Sequence, residues 1–217
     1  MLFTMAGKSW ILIDSAGSGV QNAGEVRGLR GLPHSNNGGS MKSQFLSEKA
    51  QQVLLYVAGK LPERHNMYKV LKVIYFADRQ HLFDYGRFIF GDSYIAMQHG
   101  PVPGGAYDMV KRVKFDHARP DCGRDGALFT VRDDDTIEPL VQPDLLCFSK
   151  SDLECLDKAI DECRSLTFGQ LRSRSYDAAY NAADDNDIIS IESIAAMAPD
   201  NQADALLDYI ETHNVHG

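Results

Sequence analysis

The stretch from Met67 to Phe83 limits the fold more than any other part of the chain. Val70, Leu71, Val73, Ile74, Tyr75, Phe76 and Ala77 crowd together there, interrupted by Lys69, Lys72 and the pair Asp78-Arg79. At 3.6 residues per turn these apolar side chains point in nearly every direction, so a helix made from them has no broad polar face to offer water. Such a helix is stable only when other elements surround it. The stretch therefore predicts a domain organised around one central buried helix.

Neighbouring segments supply the surrounding elements. From Phe45, the positions Leu46, Ala50, Val53, Leu54, Val57 and Leu61 recur at helical spacing, with Gly59 and Pro62 as the stop. Ala106 to Val113 reads as a short amphipathic helix. Ser151-Asp152-Leu153-Glu154 has the form of a capping box with Ser151 as N-cap, ahead of the stripe Leu153, Leu156, Ile160 and Cys163. Thr167-Phe168-Gly169-Gln170 repeats that form. Asn201 to Thr212 places Ala203, Leu206, Leu207 and Ile210 on one helical face, while Ile188 to Met197 reads as either helix or strand.

Strand signals occur twice. Phe88-Ile89-Phe90 and Tyr94-Ile95-Ala96-Met97 flank a Gly91-Asp92 turn and read as a short hairpin. The following His99-Gly100-Pro101-Val102-Pro103 reads as a rigid, non-helical connector. Ala127 to Leu140 suggests a second hairpin, with Phe129 and Val131 on one side, Leu128 and Thr130 on the other, and Asp133-Asp134-Asp135 at a solvated tip. The expected fold class is α+β: a predominantly helical single domain with one or two inserted β-hairpins.

Residues 1–40 have a different texture, holding 8 of the 18 glycines and ending in Ser35-Asn36-Asn37-Gly38-Gly39-Ser40, a linker composition. They are expected to form a flexible leader outside the fold, with the domain proper at residues 41–217. One reading makes Met41 the natural start and the leader a mis-assigned extension or tag remnant. The other makes it an arm that orders on a partner.

Charge narrows the function classes. Lys and Arg number 22 against 30 Asp and Glu, a net charge of -8, which argues against a general nucleic-acid binder. No apolar run is long enough to span a bilayer, and Trp10-Ile11-Leu12-Ile13, ended by Asp14, is too short for a signal-peptide core. Cys122, Cys147, Cys155 and Cys163 contain no Cys-x-x-Cys pair and read as free thiols of a reducing cytoplasm.

Catalytic motifs are weak or missing. Ile11 to Gly19 has the outline of a strand entering a dinucleotide loop, but Asn22 stands where the third glycine belongs. Gly7-Lys8-Ser9 ends like a phosphate loop, yet Leu2 replaces its first glycine. The seven histidines show no metal-ligand spacing, and Asp184-Asp185-Asn186-Asp187 lacks the glycine and distal glutamate of a calcium loop. There is no Gly-x-Ser-x-Gly, and nothing local supports a thiol dyad of His99 with Cys122 or Cys163. No catalytic residue, cofactor or metal is expected. His99 admits two readings: a scaffold residue that ties the turn to the helix through Asp78 or Arg79, or a polar group in a cleft with them. The scaffold reading takes precedence, because buried polar groups mostly satisfy one another.

Taken in order, Lys69-Val70-Leu71-Lys72-Val73-Ile74-Tyr75-Phe76-Ala77-Asp78-Arg79, Gly86-Arg87, Gly91-Asp92, Tyr94-Ile95-Ala96-Met97, His99-Gly100-Pro101-Val102-Pro103 and Tyr107-Asp108 resemble the Panacea domain. This is the antitoxin domain of SocA-like and phage-associated GepA-like proteins. The resemblance is close from Phe45 to about Val113 and looser from Ser151 to Tyr180. There the family tends to have Ser-His and then Trp, whereas this chain has Ser175-Tyr176 and Tyr180. It implies a cytoplasmic antitoxin that neutralises a cognate protein toxin by direct binding. Tyr75, Phe76, Asp78, Arg79, Gly91, Asp92, His99, Gly100, Pro101, Val102, Pro103, Tyr107 and Asp108 would then be structural or toxin-binding. Some members are held to present the toxin to a protease, so an adaptor delivering a bound protein to a cytoplasmic protease is the first alternative. A small hydrolase using a cleft with Asp78, Arg79 and His99 is the second.

Overall fold

Helix α2, Met67–Tyr85, occupies the centre of the domain. Val70, Leu71, Val73, Ile74, Tyr75, Phe76 and Ala77 are all buried, as a helix without a polar face requires. Its start is capped by the Asn66 side chain, which accepts from Tyr68 N at 2.8 Å. Its end is closed by Gly86 in the left-handed region (φ 70°), whose N–H returns to Leu82 O. The computed structural model describes residues 2–6, 9–13, 45–61, 66–115 and 128–213. Outside them lie Gly7-Lys8, the segment from Asp14 to Asn22, the linker at 35–40, Met41, Pro62, Cys122 and Ala127.

The other helices enclose α2. They are α1 (Ser47–Lys60), α3 (Gly104–Phe115), α4 (Lys150–Cys163), α5 (Phe168–Ser175) and α7 (Ile191–Ala195), with the most extensive packing against α4. The fold is α+β and mostly helical, with a few small antiparallel strands. No helix among the described residues is long and apolar enough to cross a membrane.

The hairpin after α2 is shifted from its expected place. Strand β3, Tyr94–Met97, pairs antiparallel with β4, Gly100–Pro103, in the register Tyr94↔Pro103 and Met97↔Gly100. The Gly-Pro-x-Pro connector is thus itself a strand. Two prolines are tolerated because β4 is the edge of a three-stranded sheet of order β4-β3-β7, where β7 is Ile188–Ile189. Phe88-Ile89-Phe90 is irregular instead; its side chains enter the core and Ile89 N–H donates to Asp78 Oδ1 at 2.7 Å. The segment read as helix or strand contains both, since β7 is followed by Ser190 capping α7.

The later hairpin forms between β5, Phe129–Val131, and β6, Ile137–Pro139, and the side it buries is that of Phe129 and Val131. The cap of α4 is corrected by two residues: Ser149 accepts from Asp152 N–H at 3.2 Å, and Asp152 accepts from Ser149 N–H at 2.8 Å. Asp152 takes the inner position of the box because its carboxylate is wanted in the core. It receives Lys49 at 2.6 Å and His81 and Arg87, each at 3.2 Å. Burial works to raise the pKa of Asp152, but hydrogen bonds from His81 and Lys49 outweigh it and hold the carboxyl well below the usual range. The Thr167–Gln170 box forms as read. The chain ends with α6 (Ala178–Ala182) and α8 (Asp200–His213).

Residues Met1–Gly39 form a unit separate from Ser40–Gly217. Within it β1, Leu2–Ala6, pairs antiparallel with β2, Ser9–Ile13, a ladder not signalled by the glycines of the leader. A lone two-stranded hairpin is marginal in water. A chain starting at Met41 should therefore melt within about 2 °C of the full chain, a shift worth well under 1 kcal/mol at this size. A clearly larger drop in a thermal melt would show that the leader packs on the domain.

Candidate functional site

The residues expected to share a cleft are parted by the fold. Asp78 points into the core, where Oδ1 accepts Ile89 N–H and Oδ2 accepts the Tyr94 hydroxyl at 2.6 Å. Burial pushes its carboxyl up to about 7, against the pull of those two donors. Arg79 turns the other way and donates to Asp177 Oδ2 at 2.8 Å, which also accepts the Tyr75 hydroxyl at 2.6 Å. Neither reaches His99, so both the expected tie and the expected cleft are corrected. Asp78 is already satisfied by its own motif, and Arg79 by the segment preceding α6. The Arg79 guanidinium also lies over the Phe76 ring, 5.2 Å from its centre.

Asp92 is a helix cap. It accepts from Ser93 N–H and Gly105 N–H, both at 2.8 Å, and from Ala106 N–H at 2.9 Å, so it joins the turn at Gly91 to the start of α3. Tyr107 is half-buried on α3 beneath Lys111, and exposed Asp108 pairs with the same lysine at 2.8 Å. Asp78, Arg79 and Asp92 thus each join α2 or the Gly91 turn to another segment of the chain.

The rest of the motif converges on the β3–β4 turn. His99 wedges edge-on between Tyr68 and Phe168, with ring centres 6.2 and 5.6 Å away. Its Nδ1 is buried and has no hydrogen-bond partner. Burial, and then Arg172 and Lys72, disfavour its charged form. Tyr176 donates to Gln98 O at 2.6 Å and Tyr180 to Met97 O at 3.0 Å, and their rings stack 4.6 Å apart. The departures from the family pattern at these two positions thus hold the turn by its carbonyls.

Gly100 has φ 95° and lies against Ser175 Oγ, while an added Cβ would stand 2.7 Å from Lys72 Nζ. Gly100→Ala should cost about 2–4 kcal/mol, from the left-handed backbone and the crowding together. Urea unfolding is the check; an unchanged midpoint would mean that the turn can move away from Lys72.

Lys72 completes this region. It is 3% exposed and donates from Nζ to Pro101 O at 2.7 Å, so the central helix holds the edge strand through a buried ammonium. Burial lowers its pKa to about 7, opposed in part by Asp177. Beside it, between α2 and α5, is a pocket of about 240 Å³. Tyr68, Phe168 and Leu171 form its apolar walls, and Lys69, Lys72 and Arg172 bring positive charge. Among the described residues no carboxylate lines it, in a chain of net charge -8.

Among the described cysteines the geometry gives no support to a reactive thiol, and Cys122 lies outside the described residues. Cys163 is buried in α4, where burial pushes its thiol up to about 11, opposite to the shift that activates a cysteine. Sequence reading missed Lys72 and Arg172 as site residues and the His81–Asp152 cluster as a core feature. A lone charge inside the apolar run was the available signal for Lys72. The meeting of Arg172 with Lys72, and of Asp152 with Lys49 and His81, carried none, because these groups are remote in sequence.

The sequence model of the family described as antitoxin SocA-like, Panacea domain, matches residues 70–180. That span begins inside α2 and ends in α6, and it contains Lys72, the β3–β4 turn and the Arg172–Tyr180 segment. No curated protein and no solved structure matches the chain.

Proposed function

The chain belongs to the SocA-like, Panacea-domain family of antitoxins, and from that premise we propose that it is the antitoxin of a toxin–antitoxin pair and neutralises a cognate protein toxin by direct binding in the cytoplasm. The family match across residues 70–180 carries this reading. Two features support a binding role. Asp78 and Asp92 of the motif are occupied as a core acceptor and a helix cap, which leaves neither as a free carboxylate for acid–base chemistry. After the β5–β6 hairpin, Leu140, Val141, Leu145 and Leu146 are exposed, Leu146 at 93%, and such a cluster gains by being covered. The net charge of -8 would speed association with a basic toxin.

The test is co-expression with the product of the adjacent gene. The expected results are rescue of growth and a stoichiometric complex on co-purification. Loss of the partner protein only when this chain is present would assign neutralisation to delivery to a protease. Failure of every neighbouring gene product to be toxic or to bind, or turnover of a substrate by the purified chain, would sink the antitoxin reading.

A further inference from the structure

Lys72 differs from the other buried charged side chains. Asp78 receives two hydrogen bonds, Asp92 three, and Asp152 is ringed by Lys49, His81 and Arg87. The Lys72 ammonium has three protons and spends one on the neutral Pro101 carbonyl. Asp177, the carboxylate that acts on it, is already held by Tyr75 and Arg79. A buried cation without a direct counter-charge is costly, and an anion within reach removes that cost.

The surroundings suit such an anion. Arg172 is half-buried on the facing helix and uses its Nε on the Tyr176 hydroxyl at 2.6 Å, so its guanidinium is fixed at the pocket with its two terminal nitrogens unspent. Tyr68 and Phe168 stand edge to face with ring centres 6.0 Å apart and form an aromatic wall. His99 backs that wall with a buried, unpartnered Nδ1. A volume of about 240 Å³ has room for one ring and one charged head. Lys72 is too deep for a flat protein surface to reach, which favours a small molecule over a side chain of the toxin.

We propose that the pocket between α2 and α5 binds a small organic anion, with a phosphate or carboxylate head held by Lys72 and Arg172 and a flat apolar body against Tyr68 and Phe168. The two heads share the chemistry of a planar or tetrahedral oxyanion taking charge-assisted hydrogen bonds. Anion binding here does not rest on the antitoxin role.

Calorimetric titration of the full chain with phenyl phosphate, benzoate and inorganic phosphate tests this. One saturable site is expected, with phenyl phosphate or benzoate at least about tenfold tighter than inorganic phosphate because of the ring. Whichever of the two binds tighter identifies the head. Arg172→Gln should weaken binding about tenfold or more, and binding should shift the His99 ring resonances in NMR spectra. Lys72→Met, checked for a cooperative melt, should abolish binding. No saturable heat with any of the three probes, or equal affinity in Arg172→Gln and folded Lys72→Met, would overturn the proposal.

Discussion

Ile74→Asp should fail to fold and, on the proposed antitoxin role, should lose toxin neutralisation with the fold. Ile74 is 1% exposed at the middle of α2, the helix against which α1, α3, α4, α5 and α7 all pack. The buried position denies a carboxylate there water. An unpaired charge or a forced proton costs on the order of several kcal/mol, comparable with the whole stability of a domain. Ile74→Val, which removes one methylene, should cost only about 1 kcal/mol and keep neutralisation. Circular dichroism melts of the two variants give the contrast. A soluble Ile74→Asp protein with a cooperative melt would place the core elsewhere.

The second large effect is a minimum of stability near neutral pH, with Lys72 responsible for its alkaline side. The folded pKa of Lys72 is about 7, against 10.5 for the free side chain. Below pH 7 both states carry the proton, and the folded state bears the full cost of a buried ammonium. Between 7 and 10.5 the unfolded chain holds more protons, so stability rises with pH, by on the order of several kcal/mol in total. Asp78 acts on the other side. Its folded pKa is about 7 against 3.8, so the folded state holds the extra proton between those values and stability falls as pH rises through that window. Lys72→Met should remove the alkaline rise and stabilise the chain below pH 7 by about 2–3 kcal/mol, after loss of the Pro101 hydrogen bond. Urea unfolding of both proteins at pH 5, 7 and 9 measures this. A flat alkaline limb in the unaltered chain would mean that Lys72 is not buried as an uncompensated ammonium.

The central helix was legible because an all-round apolar run has only one stable place, inside. Thr167–Gln170 was legible because capping is local. The limits of legibility were equally physical. Ser149-x-x-Asp152 and Ser151-x-x-Glu154 both satisfy the capping pattern, and the choice between them is made by Lys49 and His81, which a local pattern does not contain. His99 to Pro103 reads as a rigid connector because the edge position of Pro101 and Pro103 is a property of the sheet and not of the segment. His99 was assigned to Asp78 from nearness in sequence, yet Ile89 and Tyr94 had already filled that carboxylate. Lys72 and Arg172 stand a hundred positions apart, so their meeting at one pocket needed the fold.

Strand β7 has a consequence for synthesis. It pairs Ile188 with Ile95 and Ile189 with Tyr94, so the sheet that carries the turn motif is finished by a segment made much later. Asp177, which anchors Tyr75 and Arg79, also arrives late. A nascent chain still in the ribosome therefore displays β3 with an unpaired edge and α2 with an unfilled flank, the two surfaces most prone to wrong association. On the proposed antitoxin role, protection can begin only once Ile188 and Ile189 have been translated, and a message cut short before them yields an exposed sheet edge.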